Sequence, residues 1–599
     1  MFSYRCLITS LSILNSLPLV LSAGWASPEY PAELLFNRPL PIPPVKTPLY
    51  TFTNNETGAR LDYYEVQITP FTKTQYPNLG PAQFIGYDGM FPGPTFKACQ
   101  GRESIVRFIN VASTLTSSVH LHGSYTRAPF DGYADDKIRI GEYKDYYYPN
   151  KQSARTLHYH DHVADHTAKN VYYGQTGMYI IEDPEEQALG LPKGNYDIPL
   201  AIMARQYTSN GSLYDPEANG EIRNLYGDVN EVNGQPWPYL QVEPRKYRFR
   251  ILDLGISRTY LLYLTADQQQ SQRINMTIVG SDAGLLAYPV STQDLGISVG
   301  ERWEVIVDFA PFKGQNVTMM NVQGIDPSSD YNSTDKVMRF VVGNTVKNDE
   351  NNGPIPQKLR EVPFPPNNSV DDREFLFALE GGEWKINGVT WSDIRERLLA
   401  SPKRGSIESW TFRNGDRDAS HPIHTHLIDF QVISRTSSFR GVLPYEAAAL
   451  KDVVWLAPGE TVRMLARFSP WPGVYMFHCH NLIHEDHQML VEFNVTQVEG
   501  LDLNETELFI DPLDPQYRPV GYSASDLSAR IGSFSREAIR GKVSFLLTKH
   551  AYGDVNKVDE ALDAYWHTKA QGEEAGSSEP SALQRRNLLN GWTNRIKQV

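Results

Sequence analysis

The sequence predicts an all-β protein of three consecutive β-sandwich domains followed by a partly helical C-terminal tail. Its hydrophobic runs are short, rich in Val, Ile, Phe and Tyr, and separated by Gly and Pro, which is typical of many short strands. Sustained helical periodicity is absent before about residue 517. A turn signal recurs about every 145 to 155 residues, and a repeat of that length indicates duplicated domains rather than a solenoid.

Length and composition describe a globular chain with several cores. The protein has 599 residues, of which 41% are hydrophobic and 21% charged. Its formal net charge of −14 opposes binding to nucleic acid or to an anionic membrane surface. We therefore expect small molecules as partners, and no nucleic acid.

The first 23 residues have the features of a secretory signal peptide. Arg5 precedes an apolar run from Leu7 to Leu21, and cleavage after Ala23 or Ala26 is expected. The alternative is a buried N-terminal strand. No later stretch reaches the length of a membrane span, so we expect a soluble secreted protein. Eight glycosylation sequons are predicted, at Asn55, Asn210, Asn275, Asn316, Asn332, Asn367, Asn494 and Asn504.

The repeat supplies the domain boundaries. The turn pairs Asp88-Gly89, Asn233-Gly234 and Asn387-Gly388 are each followed by a similar strand. Residues rich in Asn, Pro and charge mark a linker before the third copy. The predicted units are domain 1 (47–184), domain 2 (197–347), domain 3 (373–512) and the tail (517–599). The tail carries no obvious chemistry, and it either packs on the domains or is removed.

Cysteine is scarce. Only Cys6, Cys99 and Cys479 are present, and the first lies in the predicted signal peptide. A disulfide scaffold is therefore excluded. We expect Cys99 to be a buried thiol, as is usual for a lone cysteine.

Thirteen of the 15 histidines fall in four short clusters. These are His120 and His122; His158, His160, His162 and His166; His421, His424 and His426; and His478, His480, His484 and His487. No histidine occurs between Thr167 and Ser420. Domain 2 therefore contributes no imidazole, and domains 1 and 3 are expected to share one site.

Alternate histidines predict a cluster of metal ions. On a strand the side-chain period of two puts both imidazoles of a His-x-His pair on one face. The pairs are His120/His122, His160/His162, His424/His426 and His478/His480. Their eight nitrogens exceed the needs of one ion.

Cys479 lies between two histidines of this set, so the same period turns its sulfur to the opposite face and toward a separate metal. Cys479, His484 and Met489 follow Cys-x4-His-x4-Met, the ligand types of a blue-copper site. His421 can supply the second imidazole. Zinc is the alternative metal, but a structural zinc site needs four ligands and has no use for eight paired histidines.

With these motifs the chain resembles the multicopper oxidases over roughly residues 47 to 512, and among them the fungal bilirubin oxidases. His-Leu-His-Gly, His-Tyr-His-Asp-His, His-Pro-Ile-His-Thr-His and His-Cys-His-Asn-Leu-Ile-His match the four copper motifs in order. The resemblance implies three cupredoxin-like Greek-key domains and an enzyme that couples one-electron oxidation of phenolic or tetrapyrrole-like substrates to reduction of dioxygen to water.

The resemblance also implies four copper ions and their ligands. Cys479, His421, His484 and the weak axial Met489 would hold the type 1 copper. His120 and His424 would hold the type 2 copper. The type 3 pair would be held by His122, His160, His162, His426, His478 and His480.

Two positions depart from the family pattern. Ala419 stands where the bilirubin oxidases carry tryptophan two residues before His421. His158 replaces the usual tryptophan before the second motif, and because that motif is already complete we do not expect it to be a ligand. His166 and His487 are expected to have structural or supporting roles.

Asp131 and Glu485 match acidic positions that carry protons in the family, whereas the alternative roles are a surface-turn aspartate and a salt-bridged glutamate. We expect a monomer with dioxygen and a small reducing donor as partners. Phenolic pigment or polyketide precursors suit the altered Ala419 position. The other hypotheses are a ferroxidase, which needs acidic residues beside the type 1 histidines, and a copper-binding protein without turnover.

Overall fold

The computed structural model describes residues 24–576 except 55–57, 112–114, 327–329, 368, 370, 437–439, 502, 504, 506 and 554. The predicted signal peptide (1–23), the sequons at Asn55 and Asn504 and the end of the predicted tail (577–599) lie outside these residues. Strands dominate the described chain and are arranged in three sandwiches, so the predicted all-β fold class is confirmed.

The first sandwich pairs a sheet of order β1-β2-β5-β7, with β3 on β2, against a sheet of order β4-β9-β8-β6. Helix α1 (Thr167–Tyr173) separates β8 from β9, and α2 (Pro184–Ala188) leads to the next domain. The strands are β1 (Tyr50–Thr53), β2 (Arg60–Lys73), β3 (Ala82–Tyr87), β4 (Phe96–Cys99), β5 (Glu103–Asn110), β6 (Val119–His122), β7 (Glu142–Tyr148), β8 (Arg155–Asp161) and β9 (Thr176–Glu182).

The second sandwich has sheets of order β12-β11-β10-β14-β20-β17-β18 and β13-β22-β21-β15-β16, with β19 on β15. Its strands are β10 (Asp197–Arg205), β11 (Val229–Val232), β12 (Gln235–Pro236), β13 (Tyr239–Val242), β14 (Lys246–Asp253), β15 (Tyr260–Ala266), β16 (Arg273–Ile274), β17 (Met276–Ser281), β18 (Gly284–Thr292), β19 (Leu295–Ile297), β20 (Arg302–Asp308), β21 (Asn316–Asn321) and β22 (Lys336–Val342).

The third sandwich has sheets of order β24-β23-β26-β30-β28 and β25-β32-β31-β27-β29. It includes the short helices α3 (Pro444–Ala447) and α4 (Leu482–Asp486). Its strands are β23 (Asp371–Glu380), β24 (Glu383–Ile386), β25 (Leu398–Ala400), β26 (Ile407–Asn414), β27 (His421–Thr425), β28 (Phe430–Thr436), β29 (Val453–Leu456), β30 (Thr461–Arg467), β31 (Gly473–Cys479) and β32 (Leu490–Val495).

The internal repeat of the sequence corresponds to a repeated strand pairing. In each sandwich the strand after the turn signal runs parallel to an earlier strand: β5 beside β2, β14 beside β10 and β26 beside β23. Both turn residues have positive φ in all three copies, at 55° and 67° for Asp88-Gly89, 50° and 76° for Asn233-Gly234, and 54° and 78° for Asn387-Gly388. Asp-Gly and Asn-Gly are the dipeptides that such turns favour.

The tail packs on domains 1 and 3. It contains β33 (Val520–Gly521), which pairs with β7, and the helices α5 (Ala524–Ala529), α6 (Arg536–Thr548) and α7 (Val555–Gly576). Ile539, Leu546 and Leu562 are fully buried in the same cluster as the core of domain 3. Of the two alternatives for the tail, the described part therefore adopts the packed one.

One prediction about cysteine was wrong. Cys99 is exposed, not buried. It ends β4, in which Phe96 and Ala98 are buried whereas Lys97 and Cys99 face outward. The alternation of side chains along the strand therefore decides the environment of Cys99, rather than the usual preference of a lone cysteine for burial.

No helix within the described ranges is long and apolar enough to span a bilayer.

Candidate metal centres

Two pairs of strands bring the histidine motifs together. In domain 1, β6 pairs antiparallel with β8, so that His120 lies opposite His160. In domain 3, β27 pairs antiparallel with β31, so that His424 lies opposite His478. All four side chains are completely buried, at the junction of the two domains. Domains 1 and 3 therefore build the site jointly.

The first group spans the domains through His120 and His424. The Nδ1 atoms of these residues lie 2.5 Å from the Asp131 carbonyl oxygen and 2.8 Å from the Asp452 carbonyl oxygen, respectively. A carbonyl oxygen only accepts, so both Nδ1 atoms carry hydrogen and both Nε2 atoms present lone pairs. These Nε2 atoms face each other at 3.4 Å.

The second group consists of His162, His426 and His478. Their Nε2 atoms converge, with that of His478 lying 3.1 Å from His162 and 3.3 Å from His426. Behind them, Asp131 Oδ2 is 2.7 Å from His426 Nδ1 and Glu485 Oε2 is 3.0 Å from His478 Nδ1. The Asp131 carboxylate holds a hydrogen on Nδ1 of His426, and the Cys479 carbonyl oxygen, 3.3 Å from His478 Nδ1, does the same for His478, so the lone pairs of these two rings point into the group.

The third group contains His122, His160 and His480. His122 Nε2 donates to Asp452 Oδ1 at 3.0 Å, and His160 Nδ1 donates to the Asp161 carbonyl oxygen at 2.7 Å. Their other ring nitrogens, and both nitrogens of His480, have no hydrogen-bond partner among the described residues. Their ligand atoms lie within 4.8 Å of one another, and those of a fourth residue, His158, lie within the same limit.

The fourth group contains Cys479 and stands apart from the others. His421 Nδ1 lies 3.3 Å from Cys479 Sγ and 3.2 Å from His484 Nδ1, and Sγ lies 3.6 Å from His484 Nδ1. The carbonyl oxygen of Met489 accepts from Cys479 N at 3.1 Å, and Met489 is buried in the same cluster as Cys479. His478 and His480 belong to the second and third groups, so both neighbours of Cys479 face away from its group, as predicted.

These donor atoms fit metal ions. Burial and the neighbouring imidazoles hold the pKa of His424 and His426 well below the usual range, and burial lowers the pKa of His162 to about 3. The rings are therefore neutral, and their lone pairs converge without donors to satisfy them. Burial also raises the pKa of the Cys479 thiol well above its ordinary value, so a thiolate at this position requires a bound cation. Imidazole and thiolate are ligands that suit copper.

Domain 2 reaches the cluster without contributing a histidine. Its Arg302 binds Asp452 with two hydrogen bonds, of 2.5 and 2.6 Å, and so holds the carboxylate that orients His122. Gly300 has φ +85°, and a Cβ there would lie within 3.1–3.2 Å of the rings of His480 and His122. Glycine is therefore required where domain 2 closes on the cluster.

A segment of domain 2 covers the Cys479 group. The Ile222 carbonyl oxygen accepts from Trp384 Nε1 at 2.7 Å, and the Trp384 ring stacks on His484 with centroids 3.8 Å apart. Beside it, Arg223 forms an exposed ion pair with Asp418. Both histidines of the group are completely buried. A molecule in solution therefore meets this cover rather than the imidazoles.

Three further residues that the sequence analysis named lie outside the ligand groups. His166 pairs with Glu217 at the surface, and His487 Nδ1 donates to the Ile483 carbonyl oxygen within the turn after α4. Ala419 is buried against the core of domain 3. None of these three residues belongs to any of the five sets of converging ligand atoms found in the described chain.

Sequence reasoning missed several residues that contact the groups. Asp416 Oδ2 accepts from His421 Nε2 at 3.0 Å, and Asp452, Arg302 and Trp384 support other histidines. No motif marks these residues, because their roles depend on contacts across domains or loops. His158 differs: it lies two residues before His160 and faces the third group, as the alternation rule would have indicated.

Comparison with known proteins agrees with this arrangement. Family models described as multicopper oxidase match residues 70–186 and 363–499. The chain is 48% identical over 534 residues to the bilirubin oxidase of Albifimbria verrucaria, which covers 88% of this chain and 92% of that protein. It is 32% identical to a laccase of Bacillus subtilis over 522 residues, covering 76% of this chain and 98% of that protein.

Solved structures show the same fold. The McoA multicopper oxidase of Aquifex aeolicus matches with a TM-score of 0.67 at 29% identity, over 77% of this chain and 99% of that chain. A laccase of Pediococcus acidilactici matches with a TM-score of 0.67 at 25% identity, over 78% and 95%. With its histidine groups and these relatives, the chain belongs to the multicopper oxidase family and is an oxidoreductase that uses dioxygen.

Proposed function

We propose that the protein is a secreted multicopper oxidase that oxidises phenolic or tetrapyrrole-like donors one electron at a time and reduces dioxygen to water. The observation that carries this proposal is the placement of Cys479 in one ligand group while the adjacent His478 and His480 belong to two others. Three consecutive residues thus join an electron-accepting centre to an oxygen-reducing cluster through covalent bonds.

Four ions are proposed for the four groups. Cys479, His421, His484 and Met489 would hold a type 1 copper, and His120 with His424 would hold a type 2 copper. The second and third groups would hold a type 3 pair. When bound, copper supplies one-electron transfer at the Cys479 group and reduction of dioxygen at the histidine cluster.

The chain's own carboxylates are suited to hold protons beside the cluster. Asp131 Oδ2 contacts His426 and Glu485 contacts His478, and both side chains are almost completely buried. Burial raises the pKa of Asp131, whereas the contact with His478 lowers the pKa of Glu485 despite its burial. The two groups therefore differ in proton affinity. This supports the predicted roles of Asp131 and Glu485 as proton carriers for water formation.

The substrate is proposed from the cover of the Cys479 group and from the relatives. One relative is named bilirubin oxidase and others are named laccase. Half-exposed Ile222 and the charged pair of Arg223 and Asp418 offer apolar and polar contacts to an aromatic donor. Ala419 takes the place of the large aromatic residue of bilirubin oxidases. We therefore favour phenolic pigment or polyketide precursors.

A comparison of the copper-loaded protein with its Cys479→Ser variant tests the proposal. We expect the wild-type protein to be blue and to consume oxygen with a phenol, and the variant to be colourless and inactive while it keeps the cluster ions. Arg417→Ser, on the nearby exposed loop, is a control that should remain blue and active. A colourless wild-type protein whose copper content equals that of the variant would contradict the proposal.

Ferroxidase activity is the second candidate, because acidic side chains lie beside the buried type 1 histidines. Asp416, which accepts from His421 Nε2, has a side chain 13% exposed, and Asp418 is 72% exposed. A carboxylate of this kind can bind a ferrous ion at the rim. Oxygen consumption with ferrous iron, phenol and bilirubin discriminates the candidates, and loss of only the iron activity in Asp416→Ala would favour the ferroxidase. Membership of the multicopper oxidase family argues against the third hypothesis, a protein that binds copper without turnover.

Secretion and glycosylation belong to the same proposal. Of the sequons in the described residues, Asn210, Asn275, Asn332 and Asn367 are exposed, and Asn316 and Asn494 are partly buried. Exposed asparagines are the accessible acceptors. Mass spectrometry of protein recovered from the medium of an expressing culture should find a chain that begins at Gly24 or Ser27 and carries glycans at exposed sites. Retention of residues 1–23 in unglycosylated intracellular protein would contradict secretion.

A further inference from the structure

His158 occupies a position that faces the third histidine group. It lies in β8, directly opposite His122 of β6 in the antiparallel register. Because side chains alternate along a strand, His158 and His160 point to the same face. The side chain is 1% exposed, so the cluster and its walls form the whole environment of the ring.

One ring nitrogen of His158 has a protein partner and the other does not. Nε2 lies 2.7 Å from Thr176 Oγ1. Nδ1 has no hydrogen-bond partner among the described residues, although it is buried. Whichever tautomer is present, an isolated protein would leave a polar nitrogen unsatisfied, which native proteins rarely tolerate. We therefore expect His158 Nδ1 to have a partner that is part of the metal site.

The surroundings of the ring indicate what that partner is. His158 stacks on His160 with centroids 4.4 Å apart and an interplanar angle of 30°. One of its two ring nitrogens lies within 4.8 Å of the ligand atoms of His122, His160 and His480, the same limit that holds for those three among themselves. The ring centroids of His158 and His122 are 5.7 Å apart, the same distance as those of His122 and His160.

We propose that His158 Nδ1 is a fourth nitrogen donor to the ion held by His122, His160 and His480. With Nε2–H donating to Thr176 Oγ1, the lone pair of Nδ1 is free for the ion. This inference rests on the proposed copper function. The second group has three imidazoles, so the two ions of the pair would differ in nitrogen number.

Tryptophan at this position, as in the family pattern, could not act in this way. Its indole nitrogen only donates and presents no lone pair to a cation. A four-nitrogen set favours the tetragonal coordination typical of Cu(II). The presence of histidine instead of tryptophan at position 158 therefore adds a ligand. We expect it to strengthen retention of the ion held by His122, His160 and His480.

A crystal structure of the copper-loaded protein tests the proposal directly. We expect anomalous density for an ion with four histidine nitrogens, including His158 Nδ1, at roughly 2.0–2.1 Å, the range known for imidazole ligands of zinc. An ion bonded to His122, His160 and His480 alone, with His158 Nδ1 beyond about 3 Å, would overturn it.

Copper retention provides an independent readout. His158→Phe keeps an aromatic ring against His160 but removes the donor, and we expect it to lose one cluster ion at about tenfold lower chelator concentration than the wild type. Retained blue colour would show that the Cys479 group and the fold are intact. The control His166→Phe changes a surface histidine eight residues further on and should match the wild type.

The outcomes separate this inference from the proposed function. A protein that binds no copper at all refutes both. A blue, active protein in which His158→Phe and the wild type release copper equally refutes only the role of His158. If His158→Phe does not fold, the crystal structure of the wild type decides the question alone.

Discussion

At the scale of single residues, the cluster depends on groups that fix which nitrogen of each ring presents a lone pair. Backbone carbonyls perform this task for His120, His424 and His478, and the Asp131 carboxylate performs it for His426. Both kinds of acceptor hold a hydrogen on the outer nitrogen and leave the inner one free. The ligand set is therefore preorganised by hydrogen bonds that the histidine motifs do not reveal.

Asp131 permits a direct test of proton supply. Asp131→Asn retains an oxygen that can accept from His426 but loses the ionisable carboxylate, so the blue colour should persist while oxygen consumption falls by about 10- to 100-fold. Asp135→Asn is the matched control, because Asp135 lies in the same segment but pairs with Arg397 and contacts none of the histidine groups described above. Unchanged turnover in Asp131→Asn would remove Asp131 from the mechanism.

Asp326 predicts a pH dependence of stability. It accepts from the hydroxyls of Ser420 and Tyr226, and burial raises its pKa from 3.8 to about 6. Between about pH 4 and pH 6 the folded protein therefore holds a proton that the unfolded chain releases, so the free energy of unfolding should fall as the pH rises through this window. Chemical denaturation over a pH series measures this slope.

The variant Asp326→Asn isolates the contribution of this one carboxyl. Its free energy of unfolding should lack the part of the slope between about pH 4 and pH 6, since the amide does not titrate. Identical slopes for the wild type and the variant would contradict the assigned shift of the pKa.

At the scale of elements, the alternation of side chains along β31 and β8 directs the Cys479 sulfur and the imidazoles to different metal groups. His478 and Cys479 point to opposite sides of β31, and the backbone turn after the strand brings His480 into the third group. The register of β8 on β6 adds His158 to that group. A shift of one residue in either register would exchange the faces, so strand pairing determines the site as much as the motif does.

The repeated turns predict a contrast between equivalent glycines. Gly234 and Gly388 have nearly equal φ, +76° and +78°, yet a Cβ at Gly234 would lie 2.7 Å from the Phe91 carbonyl oxygen, whereas at Gly388 the nearest atom is 3.8 Å away. Gly388→Ala should lower the free energy of unfolding by about 1–2 kcal/mol, because alanine disfavours the left-handed backbone conformation. Gly234→Ala should lower the free energy of unfolding by about 1–3 kcal/mol more than Gly388→Ala, because its Cβ would clash with the Phe91 carbonyl oxygen.

Urea denaturation of the two alanine variants against the wild type measures this contrast. Equal losses would indicate that backbone conformation alone limits both turns. A larger loss for Gly388→Ala would contradict the packing argument.

At the scale of the whole molecule, three sandwiches and a tail enclose the metal groups. Cluster ligands come from domains 1 and 3, and Arg302 of domain 2 braces Asp452 of domain 3. The tail holds domain 1 as well: Arg127 donates to the Ala551 carbonyl oxygen, and the Tyr552 hydroxyl donates to the Tyr147 carbonyl oxygen. The tail therefore supports the domain 1–domain 3 junction on which the cluster depends.

Removal of the tail tests this role. A chain truncated after Asp514 loses the buried side chains of Ile539, Leu546 and Leu562, each of which contributes roughly 1.5–3 kcal/mol. We expect a much lower melting temperature and weaker copper retention, measured by calorimetry and metal analysis. A chain that ends at Gly576 keeps these residues and serves as control. Equal stability of both truncated chains would contradict the supporting role.

The sequence by itself determined the sandwich repeat, the metal-binding character and the separation of Cys479 from its neighbours, because strand period and turn chemistry are local properties. The type I′ turn dipeptides and the His-x-His spacing are read directly from adjacent residues. The packing of the tail, the exposure of Cys99 and the supports from Asp416, Asp452 and Arg302 were decided only by the tertiary structure. These features join residues that are distant in the chain, and strand register and domain contacts, which no local pattern specifies, bring them together.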